Sequence, residues 1–369
     1  MKHHHNGVRI AFKLSLFSAA ISASCMAGAV TIAGTDLSIN GRVVAGVDVT
    51  TDVAKADGTG SSTVVRGASN QWGTSLLTLA AEHPFGAGNA AFATLETGFG
   101  ANNGQSNDST FWSRRAFVGI KSDTWGKLQF GKNLSISNSV WDFDPMGQNW
   151  SGSALLIGGR NWNFATGAIE YWTPDLGGAG VGVQYAPGAT VGNTKANSKA
   201  GIDVFYSGGP VKLHAIYDTA ESANGEYDNV YSASKEYILG GTYQLGPAKL
   251  FVGYNHSSAT DAVAGTPTSA KQAWVGVNFQ ASDPLLLRAA VYTGGSNIDV
   301  PVGGYGGKRG TLMTLGVDYS FDKQMLLWST LAAVKNGANS RFSSANYWDS
   351  VPMAGKSQET FNFGFAYSF

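Results

Sequence analysis

Cysteine is all but missing from this chain. Its single copy, Cys25, falls in the N-terminal leader, so the remainder has no disulfide and no thiol nucleophile. Histidine is nearly as scarce: of six, three stand at positions 3–5, leaving only His83, His214 and His256 for chemistry in the body. Charged residues make up 14%, well under the roughly 25% of ordinary globular chains. Beyond the leader no apolar run reaches about 18 residues, so the body holds no candidate transmembrane helix. Low hydrophobicity is not among the deficits, which argues against disorder.

Glycine, by contrast, is abundant at 49 residues and aromatics reach 12%. A mean hydropathy of −0.07 is odd for a helical membrane protein but suits strands whose two faces cancel. The leader has its own character. Lys2, Arg9 and Lys13 precede an apolar stretch over 14–29 that closes with Ala27-Gly28-Ala29. A basic lead, a short apolar core and small residues at the end describe a secretory signal peptide, with cleavage expected after Ala29. Cys25 suits lipidation poorly, because Ser22 stands where such a site wants an aliphatic residue. The expected division is a signal peptide over 1–29 and one domain over 30–369. Cleavage removes three basic residues and no acid, leaving 22 against 25, a formal charge of −3. That balance argues against nucleic-acid binding, which wants a basic surface.

The strongest local pattern is at the end. From Phe361 to Phe369 every odd position is aromatic and every even position is small or polar. A strand alternates its side chains between faces, so five rings share one side and Asn362, Gly364, Ala366 and Ser368 the other. From residue 36 onward the chain reads as sixteen such strands, beginning with 37–50, 72–82, 90–99, 111–121 and 126–132. Seven tight turns alternate with eight long polar loops, the first over 51–70 and the third over 133–163. Short turns on one side and long loops on the other fit a transmembrane barrel.

Charges inside strands keep the parity of small and polar residues. Arg42 and Asp48 alternate with Val43 and Val47, Glu170 with Ile169 and Tyr171, Asp203 with Val204, and Arg288 with Leu287. A cation facing mid-bilayer lipid costs about 2–4 kcal/mol, so this parity would put the charges in a wet lumen. A soluble sandwich would present the mirror image. Size, secretion and sheet geometry favour the pore, since sixteen long strands make an awkward sandwich.

The block Arg114-Arg115-Ala116-Phe117-Val118-Gly119-Ile120, followed by Gly126-Lys127-Leu128-Gln129-Phe130-Gly131-Lys132, resembles the fourth and fifth strands of Gram-negative general porins, in the type common in beta-proteobacteria. Leu95-Glu96-Thr97-Gly98-Phe99 and Ala168-Ile169-Glu170-Tyr171 look like that family's third and sixth strands, and the likeness spans the chain after the leader, to the terminal Phe. It implies an all-β fold: a 16-stranded antiparallel transmembrane β-barrel whose long third external loop folds into the lumen. It further implies residence in the outer membrane of a Gram-negative bacterium, assembly as a homotrimer, and contact with outer-membrane lipid and lipopolysaccharide. Insertion by the barrel assembly machinery through Phe369, and passage of ions and small polar solutes without a cofactor, belong to the same picture.

By motif, Arg114 matches a wall arginine of strand four, Arg42 a basic position of strand one, and Glu96 a lumen acid of strand three. Asp142 and Asp144 match loop acids that face such bases across a constriction. Two departures stand out: Ser75 replaces a second-strand arginine, and Phe164 a sixth-strand one, with Arg160 the nearest base. The basic ladder is thinner here, and ion preference stays open. Arg115, of opposite parity to Arg114, is expected near the membrane rim or in contact with a neighbour, and Lys212 and Arg288 away from the constriction. A bland alternative also stands, in which Arg42 and Arg114 form structural salt bridges and the loop acids only hold the loop to the wall.

Other functions find less support. A hydrolase needs a nucleophile beside an oriented base, and no Gly-x-Ser-x-Gly elbow or metal spacing accompanies the histidines. The glycines of 178–182 lack the following helix of a nucleotide site. Among the nearer rivals is a substrate-selective pore for a sugar or an acidic nutrient, with Trp141, Phe143, Trp150 and Trp162 as an aromatic slide. An adhesive role through the long loops is the other.

Overall fold

The structure, a computed structural model, describes residues 30–156, 158, 160–299, 301, 304–345 and 350–369; the expected signal peptide lies outside the described residues. Its strands are β1 (Val30–Ile32), β2 (Thr35–Ala54), β3 (Ser61–Ser69), β4 (Ser75–Gly86), β5 (Asn89–Phe99), β6 (Arg115–Ser122), β7 (Gly126–Leu134), β8 (Phe164–Trp172) and β9 (Ala179–Ala186). The second half carries β10 (Lys199–Gly208), β11 (Val211–Ala220), β12 (Lys235–Leu245), β13 (Ala248–Ser258), β14 (Ser269–Ser282), β15 (Leu285–Ser296), β16 (Gly310–Ser320), β17 (Met325–Asn336) and β18 (Gln358–Ser368).

Sixteen of these, β2 and β4 to β18, form the wall of a closed antiparallel barrel. The ring shuts where β18 pairs with β2, from Thr360↔Thr50 to Ser368↔Arg42. Among the described residues, closure leaves the sixteen-strand ring without a free edge, the condition a sheet must meet inside lipid.

The terminal strand behaves as its alternation predicts. Phe361, Phe363, Phe365 and Tyr367 are 40–48% exposed on the outer face, while Asn362 and Ala366 are at most 2% exposed within. The same parity holds at Arg42, Asp48, Glu170 and Asp203, all buried inside the wall, against exposed Val43, Ile169 and Val204.

Among the boundaries that differ from the sequence expectation, three bear on the architecture. The first loop is a hairpin: β2 pairs with β4 over Asp36–Arg42 and then with β3 over Ala45–Ala54. The strand-forming Thr63, Val64 and Val65 carry β3 through a stretch whose Gly, Ser and Asp content reads as loop. Strand four begins at Arg115 rather than at 111. Just before it, the Ser113 hydroxyl accepts a hydrogen bond from the Gly98 amide at 2.9 Å, so a side chain takes the place of a ladder carbonyl. Finally, β18 starts at Gln358, three residues early.

The apolar core is inside the barrel. Residues 135–156 and 160–163 turn inward through three short 3-10 turns, Ile136–Asp142, Ser153–Leu155 and Arg160–Trp162. Ile136, Val140, Phe143, Met146, Leu155 and Leu156 of this loop pack on Ile216, Ile238, Trp274, Tyr292 and Leu312 of the wall.

Candidate functional site

The inward loop starts with Leu134 and Ile136, whose backbone is bonded by the Gln184 side chain of β9 at 2.8 and 3.1 Å. Further on, Phe143 stacks on His214 and Trp274, with ring centroids 5.4 and 5.9 Å away, and its carbonyl accepts from Trp274 Nε1 at 2.9 Å. Beneath the ring lies Gly240, where a Cβ would sit 2.3 Å from it. Arg288 donates to the Pro145 carbonyl at 3.1 Å, and Asn149 to the Thr330 hydroxyl at 3.0 Å. The loop thus follows the wall from β9 to β17 and reaches β2, where Gln148 Oε1 accepts from Arg42 Nη2 at 2.5 Å.

Two cavities flank this barrier. One, of about 420 Å³, opens toward the short turns and is lined by Arg42, Glu96, Arg114, Arg115, Lys127, Asp142 and Glu170 among others. The other, of about 540 Å³, opens toward the long loops; Arg66, Asn103, Asn107, Trp150 and Trp162 are among its walls. Arg114, Leu134, Trp141 and Gln148 line both, marking the passage between them.

Around the passage, Glu96 is held by two arginines: Arg114 Nε at 2.8 Å and Arg115 Nη1 at 3.1 Å. Thr78 donates to the same carboxylate at 3.0 Å. Arg42 donates from Nε to the Thr74 carbonyl at 2.6 Å and lies 5.6 Å from the Trp72 ring. Burial pushes the Asp142 carboxyl above its ordinary range, and nearby His214, Lys212 and Lys249 pull it back only in part.

Of the residues singled out by sequence, Arg42, Glu96, Arg114 and Asp142 line one cavity together. Asp144 and Arg160 lie elsewhere. Asp144 faces into its own loop, accepting from the amides of Met146 and Ser153 at 2.9 and 2.8 Å and from the Tyr292 hydroxyl at 2.5 Å. Burial raises this carboxyl too, against the pull of those bonds. Arg160 is fully buried against the wall, paired to Asp218, with Glu236 4.0 Å away and the Ser234 hydroxyl at 3.3 Å.

Arg115 reverses its rim expectation. It pairs with Glu96 across the β5–β6 ladder, so it shares the lumen face, while Arg114 precedes the ladder and turns inward outside the pleat. Arg288 is absent from the lining of both cavities; it donates to the Pro145 carbonyl of the loop and pairs with Asp318 at 2.6 Å. Glu170, assigned to the lumen by parity, lines the cavity, whereas the sequence reading missed Lys127 and Gln148. Lys127 shares the parity of buried Gln129, a usable signal; Gln148 sits in irregular chain and carries none. His214 faces Asp203 at 3.1 Å and Asp142 at 3.6 Å while stacking on Phe143.

The family described as Gram-negative porin matches residues 16–339. An outer membrane porin protein of Bordetella pertussis is 26% identical over 306 residues, 73% of this chain and 77% of that one. Outer membrane porin protein 32 of Delftia acidovorans is 25% identical over 309 residues, 79% of this chain and 82% of its own. Among solved structures, an anion-selective porin from Comamonas acidovorans aligns with a TM-score of 0.74 at 21% identity, covering 91% of this chain and all of that one. OmpF of Salmonella typhi aligns at 0.65 and 17%, covering 93% of this chain and all of its own.

Proposed function

From the premise that this chain belongs to the Gram-negative porin family, we propose how its interior selects what passes. The protein is an outer-membrane porin, a channel for passive diffusion of ions and small hydrophilic solutes. Members of the family are channels rather than enzymes, and the reading here is a pore without catalysis.

The finer reading is a constriction built by Arg42, Arg114, Arg115 and Glu96 on the wall and by Asp142 and Gln148 on the inward loop. Asp144 and Arg160, in this reading, hold that loop in place rather than meet the solute. Narrow, low-dielectric walls focus the field of a few fixed charges, so a small imbalance sets ion preference. One observation carries the sign. Arg42, Arg114, Arg115 and Lys127 line the cavity against Glu96, Asp142 and Glu170, four cations to three acids. We therefore assign a modest anion preference, supported by likeness to a porin described as anion-selective. Reversal potential in a salt gradient tests it. Anions should carry the larger share of current, and the double variant Arg42→Gln, Arg114→Gln should move the potential toward cations. An unmoved potential in a variant that still conducts would remove both residues from the path.

Three further assignments follow the family. The barrel functions as a homotrimer in lipid and lipopolysaccharide, Phe369 is read by the barrel assembly machinery, and residues 1–29 are the export signal.

A further inference from the structure

The inward loop has two apolar faces, one shut in the core and one packed on the core but still partly open to the outer cavity. Phe143, Leu155 and Leu156 are shut against the wall and complete the core. Trp150 and Trp162 are half-buried and line the outer cavity, beside a more deeply buried Trp141. Their rings meet edge to face: Trp150 and Trp162 with centroids 4.2 Å apart, Trp141 and Trp162 6.2 Å apart. Phe164 extends the group, and two cations sit over it, Lys132 Nζ at 5.1 Å and the Arg114 guanidinium at 6.0 Å.

Indole faces bordering a wet passage leave apolar area in water, which a flat apolar solute would cover. The charges beside them give such a solute a sign. Around the outer cavity and its passage Arg66, Arg114, Arg115 and Lys132 pair with Asp48, Glu96 and Asp108 at 2.8–3.7 Å, four cations to three acids. Arg114 stands at the passage itself, where a bound anion would meet it before entering the constriction.

We propose that the aromatic cluster of Trp141, Trp150, Trp162 and Phe164, edged by Arg114 and Lys132, is a binding site for planar aromatic carboxylates entering the pore. The site rests on the channel reading above and adds a preferred solute class to it. The ring lies against the indoles and the carboxylate points toward Arg114, so binding and passage share one axis. A sugar would also use the indoles, but it would draw nothing from the excess of positive charge.

Current block in planar lipid bilayers tests this on the purified channel, with benzoate as probe. Cyclohexanecarboxylate matches its charge without aromaticity, benzamide matches its ring without charge, and maltose stands for a neutral sugar. Benzoate added from the loop side should reduce the current saturably, at concentrations about tenfold below those needed for cyclohexanecarboxylate or benzamide. The double variant Trp150→Leu, Trp162→Leu should raise the half-blocking benzoate concentration about tenfold, whereas Trp162→Phe should hold it within about threefold. Equal block by cyclohexanecarboxylate would leave only charge, and preferential block by maltose would make the site a sugar site; either result overturns the proposal. Steady current with no benzoate block overturns this site alone. No current from the unmodified protein would overturn the channel reading as well.

Discussion

At the scale of single residues, the loop's position depends on a missing side chain. Gly240 lets the Phe143 ring lie on the wall between His214 and Trp274, and any larger residue would enter the ring's space. Gly240→Val should therefore lift the loop from β12, destabilising the folded barrel by about 1–3 kcal/mol. The check is the unfolding temperature in detergent, together with single-channel conductance, which should rise or become noisy. Arg114 and Arg115 carry the lesson about what a sequence discloses at this scale. Period two assigns neighbours to opposite faces, and it does so correctly for Arg42 and Val43. It fails at Arg114 because the Ser113 hydroxyl ends the ladder one residue before the pleat would have begun to count.

At the scale of elements, residues 135–156 and 160–163 act as a strap tied at many points along half the wall. Asp144 is the knot: one carboxylate joins two amides of its own loop to the Tyr292 hydroxyl of β15. Asp144→Ala would strand three donors in a buried setting, at about 1–3 kcal/mol for each left unsatisfied. The expected result is a lower unfolding temperature and frequent transitions between conductance levels, read from single-channel records; records as quiet as the unmodified channel's would show that the core contacts suffice. The loop's place in the chain was legible from the strand count and the family likeness. Which of its acids faces the lumen was not. Asp142 and Asp144 would share a face in a strand, but a 3-10 turn ends at Asp142, and the irregular chain beyond it sends the two carboxylates apart. The hairpin of β2 and β3 was hidden for a different reason, since serine and glycine there outweigh the short β-branched run that forms the strand.

At the scale of the whole molecule, the barrel closes at a seam joining the two ends of its wall. Gly41 and Phe369 exchange backbone hydrogen bonds of 2.9 Å in each direction, and a Cβ on Gly41 would lie 2.6 Å from the Phe369 ring and 2.7 Å from the Leu76 carbonyl. Gly41→Val should weaken the seam by about 1–3 kcal/mol. Gel mobility of unheated samples gives the measure: the fraction of folded barrel surviving a given temperature should drop, and equal survival would mean that the seam yields without cost. The architecture itself was open to reading. Sixteen alternating segments, parity of the charges and aromatics at the end all pointed the same way, because lipid on one side and water on the other impose one pattern on every strand.

That seam also governs the order of events in the protein's life. The first wall strand can find its last neighbour only after the final residues of the chain have been delivered, so the most distant pairing in sequence is the one that finishes the structure. Until then two unsatisfied strand borders persist, inviting mispairing with other chains, and such long-range pairing is slow. Once the ring is complete, undoing it requires a whole ladder to part at once, so longevity in the membrane comes from the height of that barrier.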